Sequence, residues 1–492
     1  MPKSSRMTYV PPVPIELPTA SRAQRVARRA ETLRVFGRHL GPVIADRARR
    51  KDLPAALVGR RLRQAFEQMG ATYVKFGQLI GSSPGAFGQA VSDEFRSCLD
   101  TGPIVPFAEV RAVVEAATGV PLEDTFSSFE RDAIAGASIA VVHRAVLLDG
   151  RVVAVKVLRP RIAERVAIDL DIMEPLLRHI ALRGVGMAGP MYRFIQGFRT
   201  QVAEELDLRN EARTMAHFRD LILGENLDGI VIPEPIIASE QVLVMEFLDG
   251  VPIDDVDAIA AMGHDPGPLM QAMLRSWFLT GLRDGMFHGD IHAGNLMLLR
   301  DGRAGVIDWG IVGRLDPSTK HVFRRFVEAI LGDATAWPEI VAFINENTPM
   351  SFDDGLAEDE KAEIEGILTR PFGEVDLTGA FNGPGGRTDR PQTKVERKER
   401  RARLKAFRQE MFATDFSSTG FAQSNFLLFK QLLYFERYGK LYLSDVALMG
   451  DREWLQHVLD ISAGLPKEMD SGERLDLVRA EDGEDLLGQP AG

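Results

Sequence analysis

The chain has 492 residues, 45% of them hydrophobic and 26% charged, so it holds about three domain-sized units and is neither mostly disordered nor a fibrous repeat. A net charge of −11 argues against a nucleic-acid binder, whose surface must neutralise phosphates. The single cysteine, Cys98, excludes an intramolecular disulfide framework and fits a reducing cytoplasm.

The first twenty residues are Pro-rich and are expected to be disordered. From Ser21 to Ala65 there are thirteen basic residues against three acidic ones. Val26, Ala30, Leu33, Phe36, Leu40 and Ile44 recur there at helical spacing, which predicts an amphipathic basic helix broken near Gly41-Pro42. Two placements stay open for it: on an anionic membrane surface, or docked on the core with its arginines solvated. A second helix follows Pro54, with Leu57, Val58, Ala65, Phe66 and Met69 as its apolar stripe. This helical extension, 21–105, ends near Val105-Pro106.

The runs VVHRAVLL and RVVAVKVL are β-rich and joined by Asp149-Gly150, a strong hairpin signal. Helical patterns occupy Ile162 to Ile222. Two strand-like runs follow, from Gly229 and from Gln241, and complete a sheet-bearing unit over 106–248. A hinge is expected at Asp249-Gly250. The unit 249–464 is mostly helical, with a long helix over Pro266–Phe287 and a second hairpin around Asp301-Gly302. Phe381 to Pro391 is expected to be a mobile loop. The acidic tail over 465–492 lacks periodic apolar residues and is expected to be disordered. No window reaches the ~18–20 apolar residues of a spanning helix, so the expected location is cytoplasmic, with peripheral contact on the inner face of the membrane as the one way it meets lipid.

The segment FHGDIHAGNLMLLRDGRAGVIDWG, Phe287 to Gly310, sets Asp290, Asn295 and Asp308 at fixed separations around a hairpin. Phosphoryl transfer needs one carboxylate beside the acceptor oxygen, and an amide and a second carboxylate on Mg²⁺. Asp290 to Asn295 matches the D-x-x-x-x-N spacing of a kinase catalytic loop, and Asp308-Trp309-Gly310 stands where D-F-G would. Turn-forming Asp and Asn explain one such residue but not His288, Asp290, His292, Asn295 and Asp308 together. A kinase also needs a strand lysine for the α- and β-phosphates, which VAVKV supplies as Lys156. Its glutamate partner is expected in EELDLRNEA, among Glu205, Asp207 and Glu211, with Glu204 read as a solvated acid. Before the hairpin, Ala135, Gly136, Ala137 and Ser138 occupy the place of a Gly-rich phosphate loop. These four, with Glu246 at the end of the last strand, complete the expected nucleotide contacts.

With Lys75-Phe76-Gly77-Gln78 ahead of the AGAS loop, VAVK, Glu205-Leu206-Asp207 and HGDIHAGN in that order, the chain resembles the ABC1/ADCK/UbiB (AarF-like) family of atypical protein-kinase-like proteins over roughly Leu57 to Leu443. The resemblance implies an α+β, bilobal protein-kinase-like fold with a helical N-terminal extension packed over the cleft and a predominantly helical C-lobe. Lys75, Gln78 and Glu205 would face the pocket, which disfavours a protein substrate. The ligands it implies are ATP or another nucleotide and Mg²⁺, with ATPase or atypical kinase activity tied to isoprenoid-quinone or other lipid metabolism. Gly136, Ala140, Val141, Ala293 and Trp309 depart from the family's usual pattern. Two alternatives are a small-molecule phosphotransferase resembling aminoglycoside or choline kinases, and a nucleotide-binding scaffold without turnover.

Overall fold

The computed structural model describes residues 11–49, 53–81, 89–95, 104–182, 188–224, 229–291, 294–347, 358–374 and most of 427–463. The proposed loop at 381–391, the acidic tail, His292 and Ala293 lie outside the described residues.

Among the described residues the N-terminal extension holds α1 (Arg22–Ala48), α2 (Ala55–Met69), α3 (Ala71–Gly81) and α4 (Gln89–Phe95). Their shared core is aromatic. Phe66 lies edge-on to Tyr73 at 5.5 Å and to Phe95 at 5.3 Å, and Phe76 meets Phe198 at 5.3 Å, so α3 is tied to the body of the protein by large rings.

One expectation for α1 needs correction, and its docking uses a face that the apolar periodicity does not mark. The helix does not break at Gly41-Pro42; it continues through Pro42 to Ala48. Pro42 and Arg38 are both exposed, so the carbonyl that proline leaves without an N–H partner can meet water. The stripe of Val26, Leu33 and Ile44 also faces outward, at 65%, 76% and 67% exposure. The buried face is instead Arg28, Thr32 and Val35. Arg28 sets this rotation, donating through Nε to Asp169 Oδ1 at 2.6 Å and through an η nitrogen to the Met69 carbonyl at 2.7 Å. A buried guanidinium must find such partners, and this requirement outranks the burial of three aliphatic side chains.

The next helices and strands are α5 (Phe107–Thr118), α6 (Leu122–Thr125), β1 (Phe126–Phe129), β2 (Ala135–Gly136), β3 (Ala140–Leu147) and β4 (Val152–Leu158). The chain then forms α7 (Ile162–Leu182), α8 (Ala188–Glu205) and α9 (Leu208–Gly224), followed by β5 (Ile230–Val231), β6 (Pro235–Ala238) and β7 (Val242–Glu246). The N-lobe sheet runs β1-β3-β4-β7-β6, with β2 added to β3. Strand alternation sorts its side chains. Val153, Val155 and Val157 pack with Val110 and Val114 of α5, while Ala154 and Leu158 belong to the main core on the other face. Lys156 therefore points into the interior side of the sheet, opposite Val142 on one neighbour and Leu243 on the other.

The C-lobe begins with β8 (Gly250–Pro252), α10 (Val256–Met262) and α11 (Pro266–Asp284). Then come β9 (Met286–His288), β10 (Leu296–Leu299), β11 (Ala304–Val306), β12 (Val312–Arg314), α12 (Pro317–Ile330) and further helices. Glycine is required at position 250, where β8 pairs with β10: a Cβ would lie 2.4 Å from the Leu298 carbonyl oxygen. One boundary differs. β5, expected in the N-lobe, pairs in parallel with β11 of the C-lobe sheet, so the chain visits the C-lobe before returning to β6. The segment 11–20 is not loose either, because Val13 and Ile15 are hydrogen-bonded to the body of the protein.

Candidate active site

Lys156 sits in the middle of β4, where a buried ammonium demands carboxylates. Its Nζ lies 2.8 Å from both Glu211 oxygens and 3.2 Å from Asp308 Oδ2. Burial lowers the Lys156 ammonium, but Asp308 and Glu211 more than offset it and leave it above the ordinary lysine value. Burial pushes the Glu211 carboxyl up and the Asp308 charge adds to this, with Lys156 pulling back, so Glu211 ends above the usual carboxylate range. Burial also raises Asp308, yet Lys156, the Gly310 amide and Lys75 prevail and hold it well below that range. The two acids are thus pushed apart, one kept firmly ionised and the other closer to neutrality.

Glu211 lies in the first turn of α9, and Asp207 caps that helix by accepting from the Arg209 amide at 3.0 Å. Of the three acids offered as lysine partners, Glu211 takes Lys156 and Glu205 takes Lys75, at 2.5 Å. Asp207 is structural. The Lys75 ammonium is lowered by burial but raised more by Glu205, then by Asp308 and Asp290, so α3 does deliver a cation to the cleft. Gln78, one turn on, is half-buried on α3. Gln201, which sequence reasoning passed over, donates to the other Glu205 oxygen at 3.1 Å; its i,i+4 spacing was the available signal. Glu204 is a correction: its side chain is only 19% exposed and faces Arg314 at 3.7 Å.

The loop from Phe287 to Gly310 is held by its own polar groups. The His288 Nε2–H donates to the Asp308 carbonyl at 2.6 Å, while Nδ1 accepts from the Asp290 amide at 3.1 Å, so both neighbours specify one neutral tautomer. Asn295 Nδ2 donates to the Asp290 carbonyl at 3.0 Å. The Gly310 amide donates to Asp308 Oδ1 at 3.0 Å, and a Cβ on Gly310 would press within 3.2 Å of that oxygen and 3.7 Å of Glu205. Trp309 packs on Phe218 and His288, each at 4.6 Å, which fixes the loop that carries Asp308. The Asp308 side chain keeps 37% of its surface accessible, and Asp290 is half-buried.

The Ala-rich segment is a short strand and a tight turn: Ala135 and Gly136 are exposed, Ala137 is half-buried and bonded to Ala140, and Ser138 is buried. Arg159 fixes this turn through the Ala137 carbonyl. Glu246, expected among the nucleotide contacts, ends β7 at the sheet's edge, where its carboxylate accepts from the Glu234 amide at 3.3 Å and faces Arg219 at 3.6 Å.

A carboxylate and a carboxamide are hard oxygen donors that suit Mg²⁺, which typically takes one or two protein ligands and completes its octahedron with phosphate and water. Among the described residues no cluster of three or more His, Cys, Asp and Glu is arranged to hold a metal by itself. Asp308 and Asn295 fit that economical pattern.

The family model for the ABC1 atypical kinase-like domain matches residues 97–339. An uncharacterized protein of Mycobacterium tuberculosis is 34% identical over 420 residues, 84% of this chain and 80% of the relative. The chain belongs to the ABC1 atypical kinase-like family. An uncharacterized chloroplastic aarF domain-containing protein kinase of Arabidopsis thaliana is 32% identical over 398 residues, 80% of this chain and 73% of the relative. A probable protein kinase UbiB of Xylella fastidiosa is 30% identical over 332 residues, 65% of this chain and 59% of that protein. Among solved structures, Rv3197 of Mycobacterium tuberculosis, determined with erythromycin, gives a TM-score of 0.44 at 22% identity over 63% of this chain and 80% of that one. The Rio2 kinase of Chaetomium thermophilum gives 0.25 at 16%, over 62% and 78%. Both likenesses are coarse.

In this ABC1 family member the buried cluster makes a stability prediction. Lys156→Met alone strands Glu211 and is expected to cost about 3–5 kcal/mol in urea unfolding, whereas adding Glu211→Met restores most of it, because removing both charges avoids an unpaired buried ion. Additive losses in the double variant would show that the two side chains do not depend on each other.

Proposed function

We propose that the chain binds Mg-nucleotide between its lobes and transfers or hydrolyses the terminal phosphoryl group. The observation that carries this reading is Lys156, held at 2.8 Å by both Glu211 oxygens and at 3.2 Å by Asp308. A lysine oriented by a helix glutamate is what the α- and β-phosphates require, and the acid next to it is the expected metal ligand. Mg²⁺, when bound, neutralises charge on the phosphates; Asp308 and Asn295 are the residues that would hold it. Asp290 orients or deprotonates the acceptor, water or a hydroxyl, with its backbone pinned from both sides by His288 and Asn295.

Lys75, paired with Glu205, lies close enough to Asp290 and Asp308 to feel both charges, and a wall formed there by α3 would limit access by a protein substrate. This supports a small acceptor, water or a lipid-like hydroxyl compound such as an isoprenoid-quinone precursor, in keeping with the family resemblance. The outward face of α1 supports peripheral contact with an anionic membrane. Val26, Leu33 and Ile44 form an exposed ridge, flanked by exposed Arg22, Arg29, Arg34 and Arg38. Each basic residue near an anionic leaflet contributes about 1 kcal/mol, and the shallow ridge adds apolar burial. No helix among the described residues is long and apolar enough to cross a membrane.

Two measurements check the site. With Mg²⁺ present, ATP should raise the melting temperature of the wild type but much less that of Asp308→Asn; an equal rise in both would remove Asp308 from the metal. Asp290→Asn should keep nucleotide affinity and lose turnover by ~10²–10⁴-fold, and full turnover in that variant would favour a scaffold role. For the membrane, the chain should sediment with phosphatidylserine-containing liposomes at low salt and be released by high salt, and Leu33→Glu should weaken this. Sedimentation unaffected by both changes would contradict the α1 surface.

A further inference from the structure

The segment Pro11–Leu17 lies along the α8–α9 junction and has no part in the reading above. Pro12 closes a small cavity whose other walls include Glu205, Asn210, Glu211, Trp309 and Gly310, so the segment touches the space shared by both lysine-binding glutamates and the Asp308 loop. Val13 donates its N–H to Asn210 Oδ1 at 3.1 Å, and Asn210 Nδ2 donates back to the Val13 carbonyl at 2.9 Å. Ile15 adds a bond from its N–H to the Ala203 carbonyl at 3.1 Å.

Asn210 uses its whole amide. Its second Nδ2–H donates to the Glu204 carbonyl at 2.8 Å, and Oδ1 also accepts from Arg213 at 3.2 Å. One buried side chain therefore joins three pieces: the segment, the last turn of α8 and the first turn of α9. The residues it grips adjoin the functional acids, Glu204 beside Glu205 and Asn210 itself beside Glu211. Aspartate would lose both donors, and no aliphatic residue offers any. The composition suits a strap. Residues 11–18 contain prolines at 11, 12, 14 and 18, whose fixed φ lowers the entropy lost when the chain is laid down. Of the N–H groups that remain, those of Val13 and Ile15 are used.

We propose that Pro11–Leu17 is an intramolecular strap and Asn210 its positioning residue, together setting α8 against α9 and so the placement of Glu205 and Glu211 on their lysines. The strap does not touch substrate; it acts through Glu211. Its consequence for ligand binding rests on the Mg-nucleotide reading, whereas its consequence for the α8–α9 junction does not.

The test uses the full chain. Val13 is exposed and precedes a proline, so its backbone is already biased to an extended form; Val13→Pro therefore removes the N–H donor and sets the ring Cδ against Asn210 Oδ1 in its place. Amide hydrogen exchange over 204–212 should quicken by about fivefold, the size expected for one lost hydrogen bond, and Asn210→Asp should act in the same direction and more strongly. The dissociation constant for Mg-ATP should rise about as much in Val13→Pro, and this rise should vanish in a Glu211→Gln background, an outcome that general loosening would not produce. Unchanged exchange in both Val13→Pro and Asn210→Asp would overturn the strap. An equal rise in the dissociation constant with and without Glu211 would overturn its action through that residue. If the wild type fails to bind Mg-ATP at all, the nucleotide reading falls while the exchange comparison still decides the strap.

Discussion

An ammonium group on the inner face of a β-sheet is tolerable only when carboxylates reach it, and Lys156 draws its two from positions 55 and 152 residues further along the chain. That single requirement organises the molecule. α9 must approach β4 closely enough for both Glu211 oxygens to sit at 2.8 Å, and the C-lobe loop must present Asp308 from the other side. The N-lobe, the α8–α9 junction and the C-lobe are therefore joined at one point charge. The same cation is what phosphates would compete for, because a phosphate oxygen can take the place that Asp308 now holds on the lysine.

A second lysine–carboxylate pair, Lys75–Glu205, lies beside the first and comes from the extension. The aromatic packing of α2, α3 and α4 onto Phe198 anchors α3, so Lys75 is delivered by a rigid element. Placing two cations near Asp308 holds that acid ionised, and Asp290 in turn helps to keep Lys75 charged. The extension is thereby part of the cleft's electrostatics as well as of its wall.

Much of this was legible in the sequence because the informative signals are short-range. The Asp149-Gly150 hairpin, the strand lysine, the five-residue step from Asp290 to Asn295 and the Asp-Trp-Gly turn each lie within a few residues, and the structure brings Lys156, Glu211 and Asp308 together as their order implied. What escaped depends on long-range partners. The rotation of α1 follows from Arg28 meeting Asp169, 141 residues away, and periodicity cannot choose between two stripes when one of them carries a buried ion pair. Pairing of β5 with β11 and the fastening of Val13 by Asn210 likewise join distant segments.

The most direct measurement is a crystal structure of the full chain with Mg²⁺ and a non-hydrolysable ATP analogue. The account predicts phosphate oxygens on the Lys156 ammonium with Glu211 still paired to it, the metal on Asp308 and Asn295, and Lys75 retained on Glu205. A nucleotide bound away from the cleft, or one bound there with Asp308 still on Lys156 and no metal beside it, would contradict it.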